Sequence, residues 1–371
     1  MTSVEQNNRP YGTLAKLWES VVNPILSTVE PKNIVEVGSD FGHLTQKLLE
    51  FCYEHGGEVH SIDPAPKYDA DVFRKKYGDR LHMHKAKSID ALPLLTQYDA
   101  VIIDGDHNWH TVHSELKIIE QYAKQKGVFP AVILHDTGWP YGRRDMYYAP
   151  ESIPEEFRKS YAQKGMVPWK QKVQEEGGFN RSCCNALTEG EERSGVLTAV
   201  EDFLKETSLS LLWKEIPGIH GAGILVDKAT IQHNENLAAF LAAFTINDVL
   251  GTHVHAVEND RIDTVLQLRR TETSLNETTV KLQQAQEEVF FLSEKFQNQL
   301  SLNFSARKEL QAVTNALESA RNRIAELENE CSALLAQRKV LLRSKSWLLT
   351  APLRTLETLR RHVMRGVLRR H

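Results

Sequence analysis

Cysteine is scarce. The 371 residues hold four, Cys52, Cys183, Cys184 and Cys331, and no two stand in a CxxC pair. That excludes a disulfide framework and a zinc ribbon, and it points to a reducing compartment. Long apolar runs are missing too. The opening MTSVEQNNRP is polar, so no secretory leader is expected, and the longest apolar stretch, Leu237 to Phe244, falls far short of the roughly 20 residues a membrane span needs. No basic surplus exists either: 45 Lys and Arg face 49 Asp and Glu, which argues against a general nucleic-acid binder. A cytoplasmic protein is the expectation, with no nucleic-acid partner.

The balance is uneven along the chain. Residues 342–371 carry eight basic residues against the single acid Glu357, a charge of +7, which leaves −11 on the rest of a chain whose net charge is −4. In this tail Trp347, Leu349, Leu353, Leu356, Leu359, Val363 and Val367 fall near one helical face and arginines on the other. Such a pattern suits a helix lying on an anionic membrane surface, giving a peripheral membrane contact. It equally suits a helix that caps its neighbour with a solvated basic face.

Residues 1–230 alternate short β-rich runs with helical patterns. Runs 34–37, 59–62, 100–103 and 131–134 are bounded by turn residues, and segments 44–53 and 110–124 between them are long enough for helices. This alternation predicts βαβ units and a parallel sheet covered on both faces, an α/β fold. Leu211–Ile216 and Gly223–Val226, parted by a Pro-Gly turn, predict a closing antiparallel pair. Residues 137–195 interrupt the pattern. They are rich in Gly, Pro, Tyr and Trp, and so long an irregular insertion is usually a lid or binding loop. Residues 231–257 read as a helical connector. From Leu268 to Leu334 core positions recur three and four apart without a stutter, a Gly or a Pro, which predicts a coiled coil over 258–341 and self-association through it. Polar core positions Thr271, Thr278, Gln299 and Asn303 would set its register at some cost in stability.

The first strand, NIVEV, runs into GSDFGHLTQKLLE, where Gly38 and Gly42 bracket a tight turn before a helix. Glycines there let the backbone approach a ligand closely, and Asp63, at the end of the second strand, is placed to accept from ribose hydroxyls. The spacing is GxxxG rather than GxGxxG, which disfavours a nicotinamide-dependent oxidoreductase. Asp104, Asp106 and His107 follow the fourth strand, and His135 and Asp136 the fifth. In a doubly wound sheet the carboxyl ends of strands line one crevice, so Asp104 and Asp136 should meet there. Two carboxylates suit Mg2+ or another hard divalent cation, and an imidazole, titrating near neutrality, suits a general base. The bland alternatives are that these residues cap helices and close turns.

EVGSDFGHLT, SIDPAP, YDAVIIDGDHNWHTVHSELKII and AVILHDTGW resemble the successive motifs of class I S-adenosylmethionine (SAM)-dependent methyltransferases. IDGDH and the later HD resemble the branch that includes macrocin O-methyltransferase and cephalosporin-hydroxylase-like proteins. The resemblance spans residues 30–230 and implies a Rossmann-like seven-stranded methyltransferase sheet with the insertion 137–195 after its fifth strand. It implies SAM as cofactor, with Glu36, Gly38, Ser39 and Gly42 at the methionine end, Asp63 at the ribose, Ser88 near adenine and Asp104 beside the methyl donor. It implies a divalent cation, Mg2+ at Asp104 and Asp136, with His107 or Asp106 as catalytic base and a sugar or glycan hydroxyl as acceptor. Trp139, Tyr141, Tyr147 and Tyr148 would stack on sugar rings and Arg143 and Arg144 would bind anionic groups, unless they form the insertion's own core. The layout, a catalytic domain joined to a coiled coil and a membrane-seeking end, is similar to that of O-antigen chain-terminating methyltransferases and suggests surface-polysaccharide assembly. The rival reading is a non-catalytic coiled-coil scaffold carrying a vestigial methyltransferase fold.

Overall fold

The computed structural model describes residues 13–168, 170–244, 248–300 and 307–342. They fall in two compact units, 1–258 and 259–371. The basic tail beyond residue 342 lies outside the described residues.

In the first unit, helices α1 (Thr13–Lys16) and α2 (Asn23–Val29) precede strand β1 (Asn33–Val37). There follow α3 (His43–His55), β2 (Glu58–Ile62), α4 (Ala70–Tyr77), β3 (Leu81–His84), α5 (Ser88–Ala91), β4 (Ala100–Ile103), α6 (Trp109–Lys126) and β5 (Ala131–His135). The insertion carries β6 (Met146–Tyr147), β7 (Tyr161–Gln163) and β8 (Cys184–Ala186). Then come α7 (Val196–Glu206), β9 (Leu211–Ile216), β10 (Ala222–Asp227), α8 (Lys228–His233) and α9 (Glu235–Ala243). The main sheet has seven strands in the order β3-β2-β1-β4-β5-β10-β9. β1 to β5 run parallel, and β10 pairs antiparallel with both β5 and β9. This is the expected Rossmann-like methyltransferase sheet.

Burial explains why the central strands were the easiest to read. β4 (AVII) and β5 (AVILH) are buried at every residue, as strands covered on both faces must be. One face packs Ile34, Ile102 and Ile133 against Leu48 and Leu49 of α3, and the other packs Val35, Val101 and Val132 against Val112, Leu116 and Ile119 of α6. Asn108 caps α6, its side chain accepting from Thr111 N at 2.9 Å, and Gly127 closes it with φ 80°. The segment read as a connector packs on this unit: Leu237 and Leu241 of α9 are buried in the core that holds α2. Two elements carry no clear signal in the sequence. β3, with the half-buried sequence LHMH, has no apolar run to announce it. The insertion forms its own antiparallel sheet, ordered β6-β8-β7.

The long C-terminal helices are α10 (Asp248–Leu300) and α11 (Arg307–Leu342). In the second unit the heptad positions form the less exposed stripe: Thr271, Thr278 and Ala285 of α10 and Val313, Ala320 and Leu327 of α11 are buried. Arg338 Nη2 donates to Glu272 Oε1 at 3.2 Å. The two residues lie similar distances from the facing helix ends, roughly 42 and 46 Å at 1.5 Å per residue, so the helices lie side by side and antiparallel. The expected stripe is thus the more buried side of both helices. Asn303 and the side chain of Gln299 lie outside the described residues. Among the described residues, no helix is long and apolar enough to cross a membrane.

Beneath the glycine turn, Glu36 is fully buried. Its Oε2 accepts from Thr45 Oγ1 at 2.6 Å and Ser61 Oγ at 3.0 Å, and its Oε1 has no partner. Burial, partly offset by those two bonds, pushes its carboxyl up to about 8 from 4.5. The folded chain therefore keeps a proton that the unfolded chain loses between pH 4.5 and 8, and stability falls as pH rises through that window. Glu36→Gln, which imitates the protonated acid, should flatten this decline and melt above the wild type at pH 8 but not at pH 5. Thermal denaturation across that range checks it, and parallel curves would refute it.

Candidate active site

The turn after β1 is held from three sides. Gly38 N donates to Ile62 O at 2.9 Å, and Gly38 has φ 85°. A Cβ there would meet the Asp104 carbonyl oxygen at 2.3 Å, so only glycine lets the carboxyl ends of β1 and β4 approach this closely. Asp63 Oδ2 accepts from Ser39 N (2.9 Å), Ser39 Oγ (3.3 Å) and Asp40 N (2.9 Å), while Oδ1 accepts from Ala65 N (2.8 Å). Gly42, with φ 76°, serves packing instead: a Cβ there would strike Phe73 and Tyr68 at 2.9 Å.

A cleft of about 320 Å3 opens beside this turn. It is lined by Gly38, Asp63, Ser88, Asp104 and Asp106, five of the expected site residues. Glu36, Ser39 and Gly42 do not line it: they lie behind the wall, where Ser39 braces Asp63 and Glu36 is sealed in the core. Lys67, Lys87, Ile89, His110 and Thr111 complete one side. His110 and Thr111 fall inside the IDGDHNWHT motif, whereas Lys67, Lys87 and Ile89 carry no signal beyond closeness to the motifs. His110 stacks on Phe157 at 4.7 Å. Asp106 Oδ2 accepts from Thr111 Oγ1 at 2.9 Å, while its buried Oδ1 has no partner and is available to a donor on a ligand. Asp106 is thus not the cap of α6. Ser88 Oγ donates to Glu115, whose carboxyl is fully buried and pushed up to about 8 by that burial.

The other wall comes from the insertion. Tyr148, Ala149, Ser152 and Ile153 line the cleft, so its first segment faces the cofactor side as well as any acceptor. Tyr141, Met146 and Met166 form a small core with Trp139 and Phe179. Arg144 is wholly buried and donates to the carbonyls of Ala186 and Gln171, and Arg143 pairs with Glu201 at 2.5 Å. Both arginines are thus committed to internal partners and are not free to bind a substrate anion. Buried Asp145 accepts from Trp109 N (2.8 Å), Gly195 N (2.6 Å) and Tyr147 OH (2.9 Å), tying the insertion to the start of α6. Of the four aromatics offered for stacking, Tyr141 and Tyr147 are buried, Trp139 is half-buried against the small core, and only Tyr148 is exposed.

Behind Tyr148 lies the acid cluster. Asp104, His107 and Asp136 bring ligand atoms within 4.8 Å of one another. His107 Nδ1 lies 3.2 Å from Asp136 Oδ2, its ring stacks on Tyr141 at 5.2 Å, and its Nε2 lies 3.4 Å from Tyr148 OH. Tyr148 is 69% exposed as a residue, yet its hydroxyl lies against His107, where burial first, then Asp104 and Asp136, raise its pKa. His135 is fully buried. Its Nε2 faces the Ile219 carbonyl at 3.0 Å, and its Nδ1 faces Asp104 Oδ1 (3.2 Å) and Asp136 Oδ2 (3.1 Å). Burial alone would lower the imidazole pKa, but the two carboxylates outweigh it and hold the ring protonated. Burial would raise Asp136, but His135 and His107 hold it well below the usual carboxylate range. Asp136 itself has φ 56°, a left-handed backbone uncommon outside glycine. Two carboxylates with a neighbouring imidazole are a donor set that fits a divalent ion.

Residues 35–137, from β1 to just past β5, match a family model described as a methyltransferase domain. Among solved structures, the chain is similar to a methyltransferase of Podospora anserina bound to S-adenosylhomocysteine, at 16% identity and TM-score 0.34, covering 60% of this chain and 92% of that one. It is also similar to the 1,6-didemethyltoxoflavin-N1-methyltransferase of Burkholderia thailandensis (12%, TM-score 0.33, covering 59% and 83%). Human N-acetylserotonin methyltransferase in complex with SAM gives 14% and TM-score 0.33, covering 58% and 55%. No curated protein matches the sequence. The seven-stranded sheet order is that of a Rossmann-like α/β fold, and the methyltransferase-domain match falls on its five parallel strands, apart from the first two residues of β1.

Proposed function

We propose that the protein is a SAM-dependent O-methyltransferase that acts on a sugar or glycan hydroxyl, with a divalent cation held by Asp104 and Asp136. One observation carries the reading: Asp104 and Tyr148 each line the cofactor-sized cleft and also touch the His107–His135–Asp136 cluster. The sugar class rests on the exposed Tyr148 ring beside hydroxyl and carboxylate groups, a combination that suits the apolar faces and hydroxyls of a saccharide, and on the IDGDH and HD resemblance.

SAM, when bound, supplies a methyl group already activated on a sulfonium, and a divalent ion, when bound, lowers the pKa of an acceptor hydroxyl. The protein's own task is positioning and proton transfer. Ionised Asp136 is an acceptor, so it holds the Nδ1–H of His107 and leaves the Nε2 lone pair facing Tyr148. Nε2 takes the proton of the acceptor hydroxyl as the O–CH3 bond forms and the S–CH3 bond breaks, leaving S-adenosylhomocysteine. Asp106 Oδ1 accepts from a ligand donor in the cleft, and the Tyr148 hydroxyl donates to the acceptor.

The full chain should bind SAM in calorimetry and Gly38→Val should not; no binding by the wild type would overturn the reading and favour the scaffold. His107→Ala should lower kcat on a nucleotide-sugar or glycan acceptor by about 100- to 10,000-fold, the usual worth of a general base, with SAM affinity unchanged. Chelation with EDTA should abolish turnover and Mg2+ restore it, whereas turnover indifferent to EDTA would remove the ion from the proposal.

A further inference from the structure

A second group of metal-ligating side chains lies at the edge of the main sheet, two strands from the acid cluster, and the methyl-transfer reading makes no use of it. β2 carries Glu58 and His60, and β3 carries His82 and His84. The strands are parallel, with His60 opposite His82 in register, and alternation puts all four side chains on one face. The intervening residues Val59 and Leu81 point the other way into the core.

We propose that Glu58, His60 and His82 form a binding site for a borderline first-row transition ion, Zn2+ in the first instance, which staples the edge strand β3 to β2. The ligand atoms of these three residues all lie within 4.8 Å of one another. His60 Nε2 is 3.3 Å from Glu58 Oε1, and His82 Nε2 is 2.9 Å from Glu58 Oε2. Zinc bonds of about 2.0–2.1 Å in a tetrahedron set ligand atoms roughly 3.3 Å apart, so only small rotations are needed to close the set. Two imidazoles and a carboxylate with the fourth position open are a zinc-type donor set, distinct from the carboxylate-led cluster around Asp104.

His84 supplies the outer contact that such sites use. Its Nε2 lies 3.1 Å from His60 Nδ1, the ring nitrogen that does not face Glu58. An N–H on Nδ1 donating to His84 leaves the His60 Nε2 lone pair pointing at the ligand set. The rings are already parallel: His60 stacks on His82 at 4.7 Å and on His84 at 5.4 Å. Access is open, since the side chains of Glu58 and His82 are 40% and 41% exposed while that of His60 is 16%. A solvated surface pairing of the same residues would contribute little and would not require four such groups in register. The site also adjoins the cleft: the His84 carbonyl accepts from Asp63 N at 3.1 Å, so an ion here would stiffen the strand ends that carry the wall of the cofactor site.

The test uses the full chain, stripped with a chelator and carrying Asp104→Asn and Asp136→Asn so that the other cluster cannot compete. Calorimetry with Zn2+ should give one equivalent bound, and Co2+ should give visible absorption bands of a four-coordinate site. Both signals should vanish in His60→Ala and in His82→Ala, and His84→Ala should weaken zinc binding about 10- to 100-fold, as loss of an outer-shell partner does. Failure of the parent protein to bind Zn2+ at micromolar concentration would overturn the site whatever the variants do. Equal binding by the parent and the His60 and His82 variants would overturn it too.

Discussion

Two ionised carboxylates cannot share a buried corner without a positive charge between them. Unit charges about 4 Å apart repel by about 4 kcal/mol at an effective dielectric near 20, a large fraction of a domain's net stability. Asp104 and Asp136 are brought into such a corner by the parallel pairing of β4 and β5. The His135 ring answers the problem. The Ile219 carbonyl, in the turn between β9 and β10, holds its Nε2, so Nδ1 must face both acids. That carbonyl is delivered by a chain in left-handed conformation at Ile219 and His220, and Asp136 is itself left-handed. Left-handed backbone is thus concentrated where three strand ends meet.

The insertion converts this corner into a site. Its charged residues look like substrate ligands in the sequence, yet most are spent on holding the insertion together. Arg144 satisfies backbone carbonyls in a place water cannot reach, and Asp145 gathers amides from α6 and from the start of α7. A buried charge left unpaired would cost several kcal/mol, so each is enclosed by partners. The result is a rigid mount that carries Tyr148 to the seam between cleft and cluster, its ring outward and its hydroxyl inward. A single exposed aromatic therefore borders both the cleft and the cluster.

Buried acids set the inner wall of the cleft in a different way. Glu36 and Glu115 are sealed from water with hydroxyl donors beside them, and desolvation keeps both protonated near neutrality. As neutral groups they pack behind Gly38 and Ser88 without repelling Asp63, Asp104 or Asp106. Asp136 is instead kept charged by two histidines, and Asp63 accepts the amides of the glycine turn. Environment, not residue type, divides the carboxyl groups into wall and ligand.

The central strands of the sheet are legible in the amino-acid pattern alone. Continuous apolar runs such as AVILH can only be central strands covered on both faces, and the three-four spacing from Leu268 to Leu334 can only be a helical seam, because burial and backbone period leave no other use for those patterns. That pattern also determined that Asp104 and Asp136 meet, since strand order fixes which carboxyl ends are neighbours. Everything else depends on long-range contacts. Whether Glu36 faces the cleft or the core depends on which side of the pleat the turn leaves it; whether Arg143 and Arg144 bind substrate depends on partners 27 to 58 residues away. That the two long helices lie antiparallel follows from the Glu272–Arg338 bond, 66 residues apart. The Glu58–His60–His82 group arises from a strand pairing that LHMH does not announce. A linear pattern records what each residue prefers; only the folded chain sets which preferences are satisfied by its distant partners.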